Sequence, residues 1–330
     1  MRWKSALSGF NKGGFARMQP CVIAIAGPTA SGKSDLALEL AERLHGEIVC
    51  MDSMQIYRRM DIGTAKPTAE ERARVPHHML DVVEPTQPYA VAGYAVAAEE
   101  AIAGVLRRGR LPLLVGGTGL YHKALMYGLS LGGVRGDEAL RARLRALAAQ
   151  PNGKLVLHER LGAVDPVSAR RLHPNDVRRV IRALEVFELT GQPNSAQKPE
   201  PEPRPFRMLT LALDVPREAL YARLETRVRR MLELGLLREV RALLESGVRE
   251  DMQSMQGIGY KELVPVVRGE QSVENAAWQI VLHTRHYAKR QCTWLRGEEG
   301  VRWLSQTGRA RLDAALGEID TFLERQEPMA

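Results

Sequence analysis

Short apolar runs alternate along this chain with stretches in which Leu, Ile and Val recur every three or four positions. The first run, Cys21-Val22-Ile23-Ala24-Ile25-Ala26, ends in a glycine-rich loop, and Lys33 to Leu44 then has helical spacing through Leu36, Leu40 and Leu44. Further runs at Glu47 to Met51, Met79 to Val83, Leu111 to Val115 and Met208 to Leu213 are predicted strands separated by helical stretches. Strands alternating with helices predict an α/β fold with a mostly parallel, doubly wound sheet.

Between the fourth and fifth runs, residues 136 to 204 contain helical segments such as Asp176 to Leu189 and no convincing strand, which predicts a helical insertion. The proline-rich stretch from Lys198 to Pro205 marks its end, since proline removes backbone donors and restrains its predecessor. The α/β core then comprises residues 20 to 135 and 205 to 330, with Pro216 to Glu245 and Ser272 to Leu295 as long helices. Residues 1 to 19 carry Arg2, Lys4, Lys12 and Arg17 with no acid and no apolar centre, so they read as a disordered basic tail rather than a signal peptide, with Met18 a candidate start.

Composition narrows the class. Hydrophobic residues make up 45% and charged residues 26% of the chain, within the globular range. Three scattered cysteines, Cys21, Cys50 and Cys292, suggest neither a disulfide framework nor a zinc site, and fit a reducing cytoplasm. No apolar run has membrane-spanning length. The net charge of +8 favours a polyanionic partner wherever the cations cluster.

Gly27-Pro28-Thr29-Ala30-Ser31-Gly32-Lys33-Ser34 fits G-x-x-x-x-G-K-[ST] between a predicted strand and a predicted helix. Such a P-loop, a nucleotide- or diphosphate-binding element, lets backbone amides approach an anion. Lys33 adds a full charge and Ser34 a hydroxyl for Mg²⁺. A pyrophosphate-bearing ligand is thereby indicated, but not the reaction, and a kinase is the first hypothesis. The run Leu111 to Val115 ends in Gly116-Gly117-Thr118-Gly119 rather than in an acid, which weakens an ATPase reading, although Asp81 could take that role.

Asp52 follows the second strand and should face the same crevice as the P-loop, as a base for a hydroxyl or an amine or, alternatively, as a helix N-cap. Thr118 is equally open as an N-cap or a substrate contact. Arg178, Arg179 and Arg182 lie on one helix as a backbone track or as a solvated face paired with Asp176 and Glu185. His283 to Arg296 mixes Arg285, Lys289, Arg290 and Arg296 with Tyr287 and Trp294 and holds no acid, which suits phosphate contact and stacking on RNA, with an ordinary amphipathic helix as the alternative. His77 and His78 lack metal-ligand spacing and read as structural or substrate-shaping.

Together, Gly27 to Ser34, Asp52-Ser53-Met54-Gln55-Ile56-Tyr57, Gly63-Thr64-Ala65-Lys66-Pro67, Pro76-His77-His78, Gly116 to Tyr121, His173-Pro174-Asn175-Asp176, Gly257-Ile258-Gly259-Tyr260-Lys261 and Lys289 to Arg296 resemble the isopentenyl-tRNA transferase family, bacterial type, over roughly residues 20 to 305. The resemblance implies a P-loop nucleoside-triphosphate-hydrolase-like fold and transfer of dimethylallyl from its diphosphate to N6 of adenosine 37, beside the tRNA anticodon, with Mg²⁺ and release of diphosphate. It implies Asp52 as general base, Thr118 and Arg227 as catalytic partners, and Gly27 to Ser34 with Arg223 at the donor. Asp52, Ser53, Met54, Gln55, Thr118, Arg141, Arg178, Arg179, Arg182, Gly257, Gly259, Tyr260, Lys289, Arg290, Gln291, Trp294 and Arg296 would meet the tRNA, and Ser34 the metal. A cytoplasmic monomer is the expected form. Competing readings are a small-molecule phosphotransferase, an adenylate isopentenyltransferase acting on free nucleotide, and a non-catalytic RNA-binding module.

Overall fold

A computed structural model of the chain describes residues 19–128, 136–197 and 204–325. The basic tail expected over residues 1 to 19 lies, but for Gln19, outside the described residues, as does most of the proline-rich stretch. Two compact units emerge, one from residues up to 126 and from 204 onward, the other from 127 to 203.

The first unit is built on six parallel strands in the order β3-β2-β4-β1-β5-β6: β1 (Cys21–Ala26), β2 (Gly46–Cys50), β3 (His77–His78), β4 (Leu111–Gly116), β5 (Arg207–Leu213) and β6 (Arg302–Leu304). Helices α1 (Lys33–Leu44), α2 (Ala69–Arg74), α3 (Val91–Arg107) and α4 (Gly119–Tyr127) alternate with the early strands. Alternation along β1 separates two cores: Ile23 and Ile25 join Leu36, Leu40, Leu312 and Ile319 on one face, while Val22 and Ala24 join Tyr94, Ala98, Ile102 and Leu125 on the other. Both faces are covered, so the central strands β1 and β4 are almost wholly apolar.

The second unit consists, among its described residues, of α5 (Glu138–Ala148), α6 (Gly153–Val164), α7 (Pro166–Arg171) and α8 (Val177–Thr190). They close on a core of Leu140, Leu144, Leu157, Leu161, Val180, Ile181 and Leu184. Asp137 caps α5 by accepting from the Leu140 amide at 3.0 Å, and Asp165 caps α7 through the Ser168 amide at 2.9 Å.

The chain then returns to the first unit with α9 (Arg217–Leu234), α10 (Leu236–Glu245), α11 (Val264–Val267), α12 (Val273–Arg296) and α13 (Gly308–Glu324). Three elements differ from the sequence reading. The helix expected from Pro216 to Glu245 breaks at Gly235, whose φ of 102° is open to glycine and ends α9 as it starts α10. The strand expected at Met79 to Val83 does not form; the strand is His77–His78, after which Met79 and Asp81 take φ of 62° and 56°. There the amides of Val82 and Val83 turn to the Ile56 carbonyl, at 2.7 and 3.1 Å, instead of to β2. The edge strand β6 was not anticipated, because three residues carry no readable alternation.

Candidate active site at the strand ends

Parallel strands deliver their carboxyl ends to one edge, and there the loops after β1, β2 and β4 meet. Cys50 is level with Val115 and Ala26 with Gly116. The Met51 amide donates to the Val115 carbonyl at 2.7 Å, extending the pairing to the residue before Asp52.

After β1, Gly32 takes φ 89° as α1 begins, a turn that favours glycine and that leaves the first amides of the helix without intrahelical partners. Ser31 is fully buried, and its hydroxyl has no partner among the described residues. Two side chains remote in sequence brace this loop. Gln291 of α12 is buried and accepts from the Thr29 amide at 2.9 Å while donating to the Gly117 carbonyl at 2.9 Å, so it clips the first loop to the third. Arg311 of α13 donates to the Ser31 carbonyl at 3.3 Å and to the Gln306 carbonyl at 2.6 Å. Burial and the charge of nearby Arg223 hold the Arg311 pKa down, which puts Arg223, itself exposed, beside the P-loop.

Lys33, Asp52 and Arg227 form one electrostatic cluster. Burial and then the Arg227 charge bring the Lys33 pKa down to about 8, with Asp52 and Cys50 pulling the other way. Arg227, on α9, is lowered by burial and raised by Asp52, and as a guanidinium it keeps its charge. Two cations and one carboxylate thus face one another at the ends of β1 and β2. Ser34 is exposed at the start of α1.

Asp52 caps no helix: its Oδ1 accepts from the Met54 amide at 2.8 Å in a local turn, and the residues that follow are turns. Thr118 does not cap α4 through its hydroxyl either. Its carbonyl accepts from the His122 amide at 3.1 Å, whereas Oγ1 accepts from the Ser53 amide at 3.1 Å and so ties the β4 loop to the β2 loop. The Tyr287 phenol of α12 hydrogen-bonds to Thr118 and Gln291; burial, with Asp52 nearby, drives its pKa up. Tyr287, Gln291 and Trp294 sit at i, i+4 and i+7, so one face of α12 lines the site, a spacing legible in the sequence but not used there for Gln291. Trp294 lies over Gly119, where a Cβ would come within 2.5 Å of its ring, and meets the His122 ring edge-on at 5.2 Å.

The cations near the end of α12 point outward. Lys289, Arg290 and Arg296 are exposed, and His286, Lys289, Arg290, Thr293 and Trp294 line an open groove. Arg290 stands 5.7 Å from the centre of the Tyr287 ring.

Several residues expected at RNA are occupied otherwise, Gln291 among them as the clip between the first and third loops. Tyr260 is buried and donates to Glu239 at 2.6 Å; the Gly259 amide donates to Glu262 at 2.7 Å; Gln55 donates to the Thr64 and Ala65 carbonyls at 3.1 and 3.0 Å. Gly257 sits where a Cβ would meet the Met54 methyl at 2.5 Å. Asp81 is engaged by Lys66 at 2.7 Å and Arg72 at 2.9 Å, leaving it no role beside the P-loop. His78 pairs with Glu47 at 2.7 Å and His77 with the Val75 carbonyl at 2.7 Å, both structural.

In the second unit, Arg182 and Arg141 both serve Glu185, a fully buried carboxylate, at 2.7 and 2.8 Å, and the Asp137 amide adds a third donor at 2.8 Å. Burial pushes the Glu185 pKa up, but these bonds outweigh it and hold the carboxyl below its usual range. Arg179 pairs with Asp176 at 3.4 Å, and Arg178 is exposed. No helix among the described residues is long and apolar enough to cross a membrane, and none of their His, Cys, Asp and Glu side chains gather into a metal cage.

Comparison with known proteins gives the family. The model for IPP transferase matches residues 55–298, and that for isopentenyl transferase matches residues 20–81. A tRNA dimethylallyltransferase of Geobacter metallireducens is 50% identical over 91% of this chain and 97% of its own, and one of Pelotomaculum thermopropionicum is 48% identical over 90% and 95%. Among solved structures, the tRNA isopentenylpyrophosphate transferase of Bacillus halodurans superposes with a TM-score of 0.69 at 41% identity, covering 93% of this chain and 97% of that one. A eukaryotic dimethylallyltransferase acting on tRNA gives 0.77 at 30% identity over 94% and 81%. With a family match across most of its length and relatives near half identity, the chain belongs to the IPP transferase family.

Proposed function

We propose that the chain transfers the dimethylallyl group of dimethylallyl diphosphate to N6 of adenosine 37, next to the tRNA anticodon, and releases diphosphate. The observation that carries this reading is the cluster of Lys33, Arg227 and Asp52 at the mouth of the P-loop. Cleaving an allylic carbon–oxygen bond leaves positive character on carbon and negative charge on the departing diphosphate. The P-loop amides, Lys33 and Arg227, with Arg223 nearby, are placed to stabilise that charge. As N6 bonds to the prenyl carbon it loses a proton, and Asp52 is the carboxylate at hand to accept it. Thr118, bonded to the Ser53 amide, holds the β2 loop in register with this site.

Magnesium fits the residues present. Exposed Ser34 offers one hydroxyl at the P-loop, the position from which a P-loop Ser or Thr reaches a cation that also binds substrate phosphates. When bound it would add positive charge against the leaving diphosphate. We assign the tRNA to the exposed cations of α12, Lys289, Arg290 and Arg296. The target base must leave the anticodon-loop stack to expose N6. The reading carries with it a cytoplasmic, monomeric enzyme.

The test is single-turnover transfer to unmodified tRNA, with the nucleoside identified by mass spectrometry. Asp52→Asn should lower the rate by about 10²- to 10⁴-fold while tRNA and donor affinities stay within about threefold. Wild-type rates in this variant, or ATP-dependent phosphorylation in place of prenylation, would dismiss the proposal.

A further inference from the structure

Glu239 of α10 collects four donors. Its Oε2 accepts from the consecutive amides of Asp61 and Ile62 at 2.9 and 2.8 Å, and its Oε1 from the Gly63 amide at 3.1 Å and the Tyr260 hydroxyl at 2.6 Å. Three successive amides aimed at one point form an anion nest, filled here by the protein's own carboxylate. The nest is a held conformation: Arg59 and Ala65, on either side, take φ of 62° and 46°. Gly63 is flush with Tyr260, since a Cβ there would lie 2.5 Å from the ring.

From this nest an unbroken set of bonds runs to the strand end that bears Asp52. The Ala65 amide donates to the Ile62 carbonyl at 3.0 Å, and the Thr64 hydroxyl to the Met60 carbonyl at 2.7 Å. The Thr64 and Ala65 carbonyls accept from the Gln55 amide nitrogen, whose oxygen accepts from the Cys50 thiol at 3.0 Å. Asp52 sits between Cys50 and Gln55, which bond to each other, and Gln55 ties this loop to Thr64 and Ala65, the residues that follow the nest. The P-loop has separate braces in Gln291 and Arg311.

We infer that Glu239 is a positioning residue for the acceptor side of the reaction: through the 61–63 nest it sets the loop that presents Asp52, leaving the donor site untouched. The inference rests on the reading of Asp52 as the base. It unites two segments, Gly63 to Pro67 and Gly257 to Lys261, whose residues are largely buried or bonded inward and which otherwise have no part in the chemistry.

A split between acceptor and donor parameters tests it, since general loosening would move both. Glu239→Gln keeps the size but pairs one amide badly, and should cut the single-turnover rate on tRNA, or raise the tRNA KM, by about tenfold or more, because sub-ångström misplacement of a catalytic group is costly. Dimethylallyl diphosphate affinity, read by calorimetry, should stay within about twofold. Tyr260→Phe removes one of four donors and should act in the same direction by about threefold, which keeps the test alive if Glu239→Gln folds poorly. Unchanged tRNA kinetics in Glu239→Gln, or donor affinity falling in step with transfer, would overturn the inference. Asp52→Asn in the same assay separates the two failures. An inactive Asp52→Asn beside a normal Glu239→Gln sinks only the positioning role, whereas a normal Asp52→Asn sinks the base assignment itself.

Discussion

Two basic helices of this molecule hold their cations differently. On α8, Arg182 turns inward with Arg141 onto Glu185, a carboxylate with no exposed surface, and Arg179 leans on Asp176. On α12, Lys289, Arg290 and Arg296 stand in solvent while Tyr287, Gln291 and Trp294 occupy the face toward the site. The difference follows from the acids. α8 carries Glu185 three residues beyond Arg182, within i, i+3 reach, and its burial demands compensation. From His283 to Arg296 the helix carries no acid of its own; Glu225 of α9 takes Arg285, while Lys289, Arg290 and Arg296 stay exposed. A basic run in sequence therefore becomes an exposed cation cluster only where no acid claims its side chains.

The largest effect that would break this comparison lies at Glu185. Glu185→Ala should destabilise the second unit by about 3 kcal/mol, at the lower end for a broken buried pair because both arginines are one-third exposed and can return to water. Chemical denaturation reads this directly, and a change below about 0.5 kcal/mol would mean that the arginines are not committed to it. The paired substitution Lys289→Ala with Arg290→Ala should do the reverse: stability within about 0.5 kcal/mol, tRNA affinity down about tenfold, and the slope of log affinity against log salt shallower by about two. An unaltered salt slope would remove phosphate contact from α12.

The sequence carried the local patterns of the first unit, and in the second it offered Asp176 and Glu185 as partners for the arginines, one of two readings, which the structure shows. Strand–loop–helix patterns around Gly27 to Ser34 and Gly116 to Tyr121 are local, since period and turn residues lie within some fifteen positions, and both loops stand at the ends of β1 and β4. The resemblance drew Asp52, Lys33 and Arg227 together, and the structure places them in one cluster. What stayed hidden depends on partners far along the chain. Gln291 meets Thr29 across 262 residues and Arg311 meets Ser31 across 280. The split at Gly235 could have been read, because a glycine inside a helical pattern is a stop signal, but continuous apolar spacing on either side overrode it. Met79 to Val83 misled for the opposite reason: its composition suits a strand, yet Asp81 is turned out to Lys66 and Arg72 by a backbone that strand geometry forbids.

The smallest effect sharpens the comparison from the donor side, where one cation, Lys33, is half-buried and faces the half-buried Asp52 and a second cation, Arg227. Its pKa of about 8 reflects burial and the Arg227 charge. A diphosphate prefers the protonated ammonium, so binding raises that pKa and takes up a proton wherever the free side chain has lost one. Affinity for dimethylallyl diphosphate should therefore be flat below about pH 8 and fall as pH rises beyond it, by roughly fivefold to tenfold at one unit above, with proton uptake measurable by calorimetry in buffers of different ionisation heat. Lys33→Arg should flatten the profile, because a guanidinium does not titrate there. The Lys289 and Arg290 variants should leave it unchanged. Donor affinity that held steady to pH 10 in the wild type would mean that Lys33 is not the cation that meets the diphosphate.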